Sequence, residues 1–194
     1  MRKIVVFNNL TLDGVMQGPA GTDEDTRDGF TQGGWAAPFG AMQSKEAGES
    51  ITSFGALLFG RRTYDSFYAH WPNQTDSPFS EILNNLPKYV VSSTLKEPLP
   101  WMNSTLLKGD LPTAIRAIKA EEGGDIIIFG SGVLIQSLMK HNLIDRYLLL
   151  IHPLVLGAGR QMFPNGGAPA TLHLVSAKAT ENGVVVATYE PSGS

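Results

Sequence analysis

Continuous apolar runs, rather than alternating ones, dominate the chain. Ile126-Ile127-Ile128-Phe129 ends in Gly130-Ser131-Gly132 and passes into the apolar segment Val133-Leu134-Ile135, which reads as strand, glycine turn and helix. A strand that is apolar at every position is buried on both faces, the habit of parallel sheets. The same reading applies to Lys3 to Asn8, Ala56 to Phe59 and Arg146 to Ile151. Lys88 to Thr94 and Thr105 to Leu107 add two shorter strands. Leu172 to Thr180 and Val184 to Tyr189 flank Asn182-Gly183, a favoured hairpin dipeptide. The spacing predicts helices over Ala41 to Phe54, from Thr63 through Phe67 with Thr63 as N-cap, from Pro78 to Leu86, after Asp110-Leu111-Pro112, and from the Gly-Ser-Gly turn to His141. The sum is an α/β chain whose sheet is mostly parallel, with an antiparallel edge at its C-terminal end.

Between these elements, Gly18 to Gly34 has neither a helical nor a strand period and reads as a mobile loop near a strand end. It is either a lid or a solvated acidic loop around Asp23, Glu24, Asp25 and Asp28. The tail Pro191-Ser192-Gly193-Ser194 is expected to be disordered.

Composition narrows the chemistry. With 194 residues, 42% of them hydrophobic, the chain fits a single domain over residues 1–190. A net charge of -3 argues against a nucleic-acid surface and leaves small molecules as the expected partners. The absence of cysteine excludes disulfides, thiolate metal sites and cysteine nucleophiles. Four histidines lie far apart without ligand spacing, so no metal is expected. No apolar run is long enough for a membrane span or a signal segment, and the cytoplasm is the expected location.

Four strand ends carry candidate chemistry, as open α/β sheets bind ligands there. Gly130-Ser131-Gly132-Val133 opens a helix and reads either as a pyrophosphate loop or as a plain connection, because Ile135 stands where a dinucleotide fingerprint needs its third glycine. Gly60-Arg61-Arg62-Thr63 places two adjacent guanidinium groups at a second turn, suited to a phosphate monoester or merely to solubility. Ser92-Ser93-Thr94 ends a third strand in hydroxyls that could reach a ribose or phosphate or serve as turn residues. Asp13, in Leu12-Asp13-Gly14 after the first strand, is the candidate for proton delivery or substrate orientation; its alternative is a turn-forming Asp-Gly pair. Trp35, following Gly33-Gly34, is a further site candidate.

Phe59-Gly60-Arg61-Arg62-Thr63-Tyr64, Val90-Val91-Ser92-Ser93 and Ile128-Phe129-Gly130-Ser131-Gly132 stand in the order and spacing seen in the dihydrofolate reductase superfamily. Ile144-Asp145-Arg146-Tyr147-Leu148, Pro153 to Arg160 and Leu12-Asp13-Gly14 resemble more closely the reductase domain of bacterial riboflavin biosynthesis. The resemblance implies a twisted mixed sheet with helices on both faces, NADPH as cofactor and a small heterocyclic or carbonyl substrate. It further implies cofactor contacts from Gly60, Arg61, Arg62, Thr63, Ser92, Ser93, Gly130, Ser131, Gly132 and Val133, substrate contacts from Asn9, Trp35 and Phe39, and a homodimer. Folate-reducing members carry an acid just after Trp-x-x-Pro, whereas Trp35-Ala36-Ala37-Pro38 leads here to Phe39-Gly40. The alternatives are a dihydrofolate or pterin reductase, and a nucleotide-binding module without turnover.

Overall fold

The computed structural model describes residues 1–40, 45, 54–74 and 77–192. Eight strands form one mixed sheet: β1 (Ile4–Thr11), β2 (Ala56–Gly60), β3 (Lys88–Val91), β4 (Ser104–Leu107), β5 (Ile126–Phe129), β6 (Arg146–His152), β7 (Leu172–Ala179) and β8 (Val185–Pro191). Their order is β4-β3-β2-β5-β1-β6-β8-β7. The described α-helices are α1 (Arg61–His70), α2 (Pro78–Asn85), α3 (Leu111–Ala120) and α4 (Gly132–Met139). The contacts divide the chain into two compact units, Met1–Val5 with Ser53–Leu143, and Val6–Thr52 with Ile144–Ser194. Among the described residues, no helix is long and apolar enough to cross a membrane.

In the first unit β2 pairs in parallel with β3 and β5, and β3 with β4. Every residue of Ile126–Phe129 is buried, as are Ala56 to Phe59. This follows from β-branched and aromatic side chains at consecutive positions, which can be accommodated only if both sheet faces are covered. Phe59, Tyr64, Phe67 and Trp101 pack as a connected aromatic group, with ring centroids 5.1 to 6.4 Å apart. Asp110 caps α3 as its sequence requires, its carboxylate accepting from the Thr113 amide at 3.0 Å.

Lys88 opens β3 and is fully buried. Its ammonium donates to the carbonyls of Asn84 (2.9 Å), Leu86 (2.8 Å) and Met102 (3.1 Å), and it lies 4.6 Å from the Trp101 ring centroid. Burial pushes its pKa down to about 8. Three carbonyl acceptors and an aromatic face use all three donors and hold the group protonated at neutral pH. Lys88 thereby joins the end of α2, the start of β3 and the segment before β4.

In the second unit β8 pairs antiparallel with both β6 and β7. The β7–β8 connection differs from a two-residue Asn-Gly turn. Asn182 has no positive φ, Gly183 sits at φ +79, and the bonds run from Gly183 N to Thr180 O and from Thr180 N to Val184 O. This is the three-residue type with glycine in the left-handed position. The 18–34 segment is anchored rather than a bare acidic loop. Gln17 is buried and donates to the Asp25 and Arg27 carbonyls, Asp25 pairs with Arg27, and Phe30 packs with Val15, Trp35 and Ala36. Gly159 (φ +120) passes so close to Val15 and Phe30 that a Cβ there would lie 2.7 Å from Val15 Cγ1.

Several boundaries move. β1 runs on to Thr11, β3 stops at Val91 instead of Thr94, and α4 stops at Met139 instead of His141. Thr63 lies inside α1, whose N-cap is Gly60. Pro191 ends β8 and Ser192 N donates to Thr171 O at 2.9 Å, so the expected tail does not begin at 191; residues 193 and 194 lie outside the described residues. The expected helix from Ala41 to Phe54 also lies outside them, but for Lys45 and Phe54.

Replacing Lys88 with Met should remove one cation from three carbonyls and lower stability by about 2–4 kcal/mol. Urea unfolding midpoints of parent and K88M check this, and equal midpoints contradict it.

Candidate active site

The first unit brings two strand-end turns together. Ser131 Oγ accepts from Gly60 N at 3.0 Å, and Ser131 N donates to Thr63 Oγ1 at 2.9 Å. The turn after β2 and the turn after β5 are thus locked by a reciprocal pair of hydrogen bonds. Gly130 and Ser131 both adopt left-handed backbone, at φ +54 and +52. Glycine suits the first position twice over, since a Cβ at 130 would lie 3.0 Å from Thr63 Oγ1. Thr63, expected as a helix cap, instead accepts a bond from a residue 68 positions away.

This lock sets two helix starts at the ends of neighbouring parallel strands. Neither α1 nor α4 has a side-chain N-cap bond. In α4 the first helical bond is Ile135 N to Ser131 O, so the amides of Gly132, Val133 and Leu134 point out of the helix end as donors. Val133 is 70% exposed there, unusual for an apolar side chain at a helix start. Arg61 donates to Thr94 Oγ1 at 2.6 Å and pairs with Asp65 at 3.4 Å, which ties α1 to the turn after β3. Arg62 is exposed and has no ion-pair partner among the described residues. Ser92 Oγ accepts from the amides of Thr94 and Leu95, the turn role left open by the sequence, while Ser93 is exposed. Thr94 is read from the sequence only as one of three strand-end hydroxyls; its partnership with Arg61 could not be read from either segment alone.

The second unit gathers the expected substrate contacts around a residue that sequence reasoning passed over. His152 ends β6 and is fully buried. Its Nε2 lies 2.9 Å from Asn9 Oδ1. Trp35 and Phe39 meet its ring edge-on, at centroid distances of 5.2 and 5.1 Å. Trp35 is fixed by Nε1 donating to the Gln17 carbonyl (2.7 Å), and the Phe39 carbonyl accepts from Asn182 Nδ2 (3.0 Å). Burial lowers the His152 pKa to about 4, so the imidazole is neutral under ordinary conditions.

Asp13 occupies the turn after β1. Its carboxylate accepts from Thr11 Oγ1, from Leu156 N (3.2 Å) and from Gly157 N (2.8 Å). The Thr11 hydroxyl, followed by the two amides, holds its pKa below the ordinary carboxylate value. At neutral pH the group is therefore an ionised acceptor that joins the β1 turn to the segment after β6, a geometry suited to orientation and not to donating a proton.

A mixed sheet of this order, mostly parallel with an antiparallel C-terminal pair, defines a dihydrofolate-reductase-like fold. It matches dihydrofolate reductase from Enterococcus faecalis complexed with NADP(H), with a TM-score of 0.61 at 15% identity over 98% of this chain and 97% of that one. The chain belongs to the RibD C-terminal domain family, which matches residues 2–186. A putative riboflavin biosynthesis protein from Shewanella sp. PV-4 is similar over 98% of this chain and 99% of that one, with a TM-score of 0.70 and 21% identity. The uncharacterized protein YyaP of Bacillus subtilis is 25% identical over 203 residues, covering 99% of this chain and 96% of YyaP.

The buried histidine carries a pH prediction. Unfolded, it takes up a proton near pH 6.5; folded, only near pH 4. Between those values the unfolded chain binds more protons, so acid favours unfolding there. Stability should be fully present above pH 6.5 and fall by about 3 kcal/mol as pH drops through 4. Denaturant titrations from pH 7 to 4 should show this slope in the parent and lack it in His152→Phe; equal slopes would refute the assignment.

Proposed function

We propose that the protein is an NADPH-dependent reductase of a small heterocyclic or carbonyl substrate, of the kind that acts in riboflavin biosynthesis. The observation that carries the reading is the Gly60–Ser131–Thr63 lock, which leaves the amides of Gly132, Val133 and Leu134 as outward donors beside a second helix start. Such amides, reinforced by the helix dipole, favour a pyrophosphate. Among the described residues nothing demands glycine at position 60. A Cβ there would find its nearest neighbours at an ordinary 3.7 Å, and a ligand lying on the turn supplies the reason. Family membership and the NADP(H) complex of the enterococcal relative support the same cofactor.

The dinucleotide supplies the hydride when bound. The residues of the first unit bind it: the α4 amides hold the pyrophosphate, while Arg61, Arg62 and the 92–94 hydroxyls meet the adenosine ribose and its 2′-phosphate. Arg62 has the freer guanidinium, since Arg61 is already engaged by Thr94 and Asp65. In the second unit Asn9, Trp35 and Phe39 contact the substrate and Asp13 fixes the turn that follows Asn9's strand. The homodimer implied by the resemblance is part of this proposal, as is a cytoplasmic location.

Arg62→Ala should weaken NADPH binding about tenfold or more and change NADH binding little, because a charge-assisted bond to a phosphate is worth roughly 1.5–3 kcal/mol. Arg61→Ala should have the smaller effect. Calorimetric titration of both cofactors against both variants tests this. Equal parental affinities for NADPH and NADH, or parallel losses of both in R62A, defeat the 2′-phosphate assignment.

A further inference from the structure

We propose that His152 is a positioning residue that locks the Asn9 amide so that its N–H donors face the ligand, and that the ligand is an uncharged heterocycle offering a ring carbonyl or ring nitrogen to them. The ligand class rests on the reductase reading; the positioning role does not.

Asn9 Oδ1 is an acceptor only, so the 2.9 Å contact places the imidazole proton on His152 Nε2. His152 Nδ1 then carries a bare lone pair, and it is buried without a partner. Turning the Asn9 amide over would reverse both assignments, putting the proton on Nδ1 as a buried donor with nothing to accept it. Orphaned buried N–H groups are rarer and costlier than an under-used lone pair, so the Nε2–H form prevails. The ring cannot easily swing away, because Trp35 and Phe39 flank it edge-on, Trp35 donating its indole N–H to the Gln17 carbonyl and Phe39 held through its backbone carbonyl by Asn182.

The consequence falls on Asn9. It is the single position of β1 that is not buried, in a pattern otherwise buried throughout. With Oδ1 committed to His152, Nδ2 is left with two donors and no partner among the described residues. No charged side chain bonds to Asn9 or His152 among the described residues, so recognition here is by neutral donors. A group offering only donors would face them unpaired and be rejected.

Two measurements on the full chain test this. The first needs no ligand: the ¹⁵N shifts of the His152 ring in the labelled parent should report Nε2–H. An Nδ1–H ring overturns the proposal, because Asn9 would then present its oxygen. The second uses lumazine, an uncharged pteridine with two ring carbonyls, titrated by fluorescence without NADPH. The parent should bind it, Asn9→Asp and His152→Phe should bind it five- to tenfold more weakly, and His152→Gln should recover most of the loss, since its side-chain N–H can still donate to Asn9. Lack of binding by the parent, or binding by N9D and H152F equal to the parent, refutes the assignment. A merely packing role for His152 would not be rescued by Gln, and the Nε2–H reading stands independently of whether NADPH is ever oxidised.

Discussion

The reciprocal bonds between Gly60, Thr63 and Ser131 are the constraint on which the first unit depends. Two consecutive residues in left-handed backbone are costly, Ser131 more than Gly130, because a side chain there crowds its own carbonyl. The cost is offset by using both the amide and the hydroxyl of Ser131 in bonds to the neighbouring strand-end turn. The strain and the outward set of the first α4 amides therefore have one origin: a serine held in left-handed backbone by two bonds to the neighbouring turn.

The second unit solves a different problem. Several of its polar groups pair with one another: Gln17 with the 25–27 carbonyls and the Arg160 amide, Asp13 with the 156–157 amides, Asn9 with His152. Each bond joins segments more than a hundred residues apart or closes the 18–40 loop on itself. Each such bond disfavours a slip of one segment past another, since a buried partner such as Gln17 or His152 would lose it. The contrast with the charged, exposed Arg61 and Arg62 suits the two different ligands proposed, a polyanion and a neutral ring.

Much of this was legible in the sequence, and the parts that were not share a cause. Ile126–Phe129 and Ala56–Gly60 are evident because burial on both faces writes itself as an unbroken apolar run. Asp110-Leu111-Pro112 marks a helix start correctly because the bond that caps it reaches only three residues on. Thr63 is misread as a cap by the same local rule; its partner lies 68 residues on, and no local pattern distinguishes the two uses of a hydroxyl. Asn182-Gly183 marks the hairpin correctly but not its type, which depends on the Thr180 bonds. His152 is the clearest omission. A lone histidine after an apolar strand carries no spacing signal, and only the fold reveals that Asn9, Trp35 and Phe39, each singled out separately, surround it.

If the α4 amides beside the Ser131 lock receive a cofactor phosphate, as we propose, amide NMR reads those atoms directly. Adding NADP⁺ to the ¹⁵N-labelled protein should shift the backbone resonances of Gly132, Val133 and Leu134 strongly and saturably, with Gly60 and Arg62 following at the same concentrations. Saturable NADP⁺ binding that leaves the three α4 amides unmoved would contradict the account.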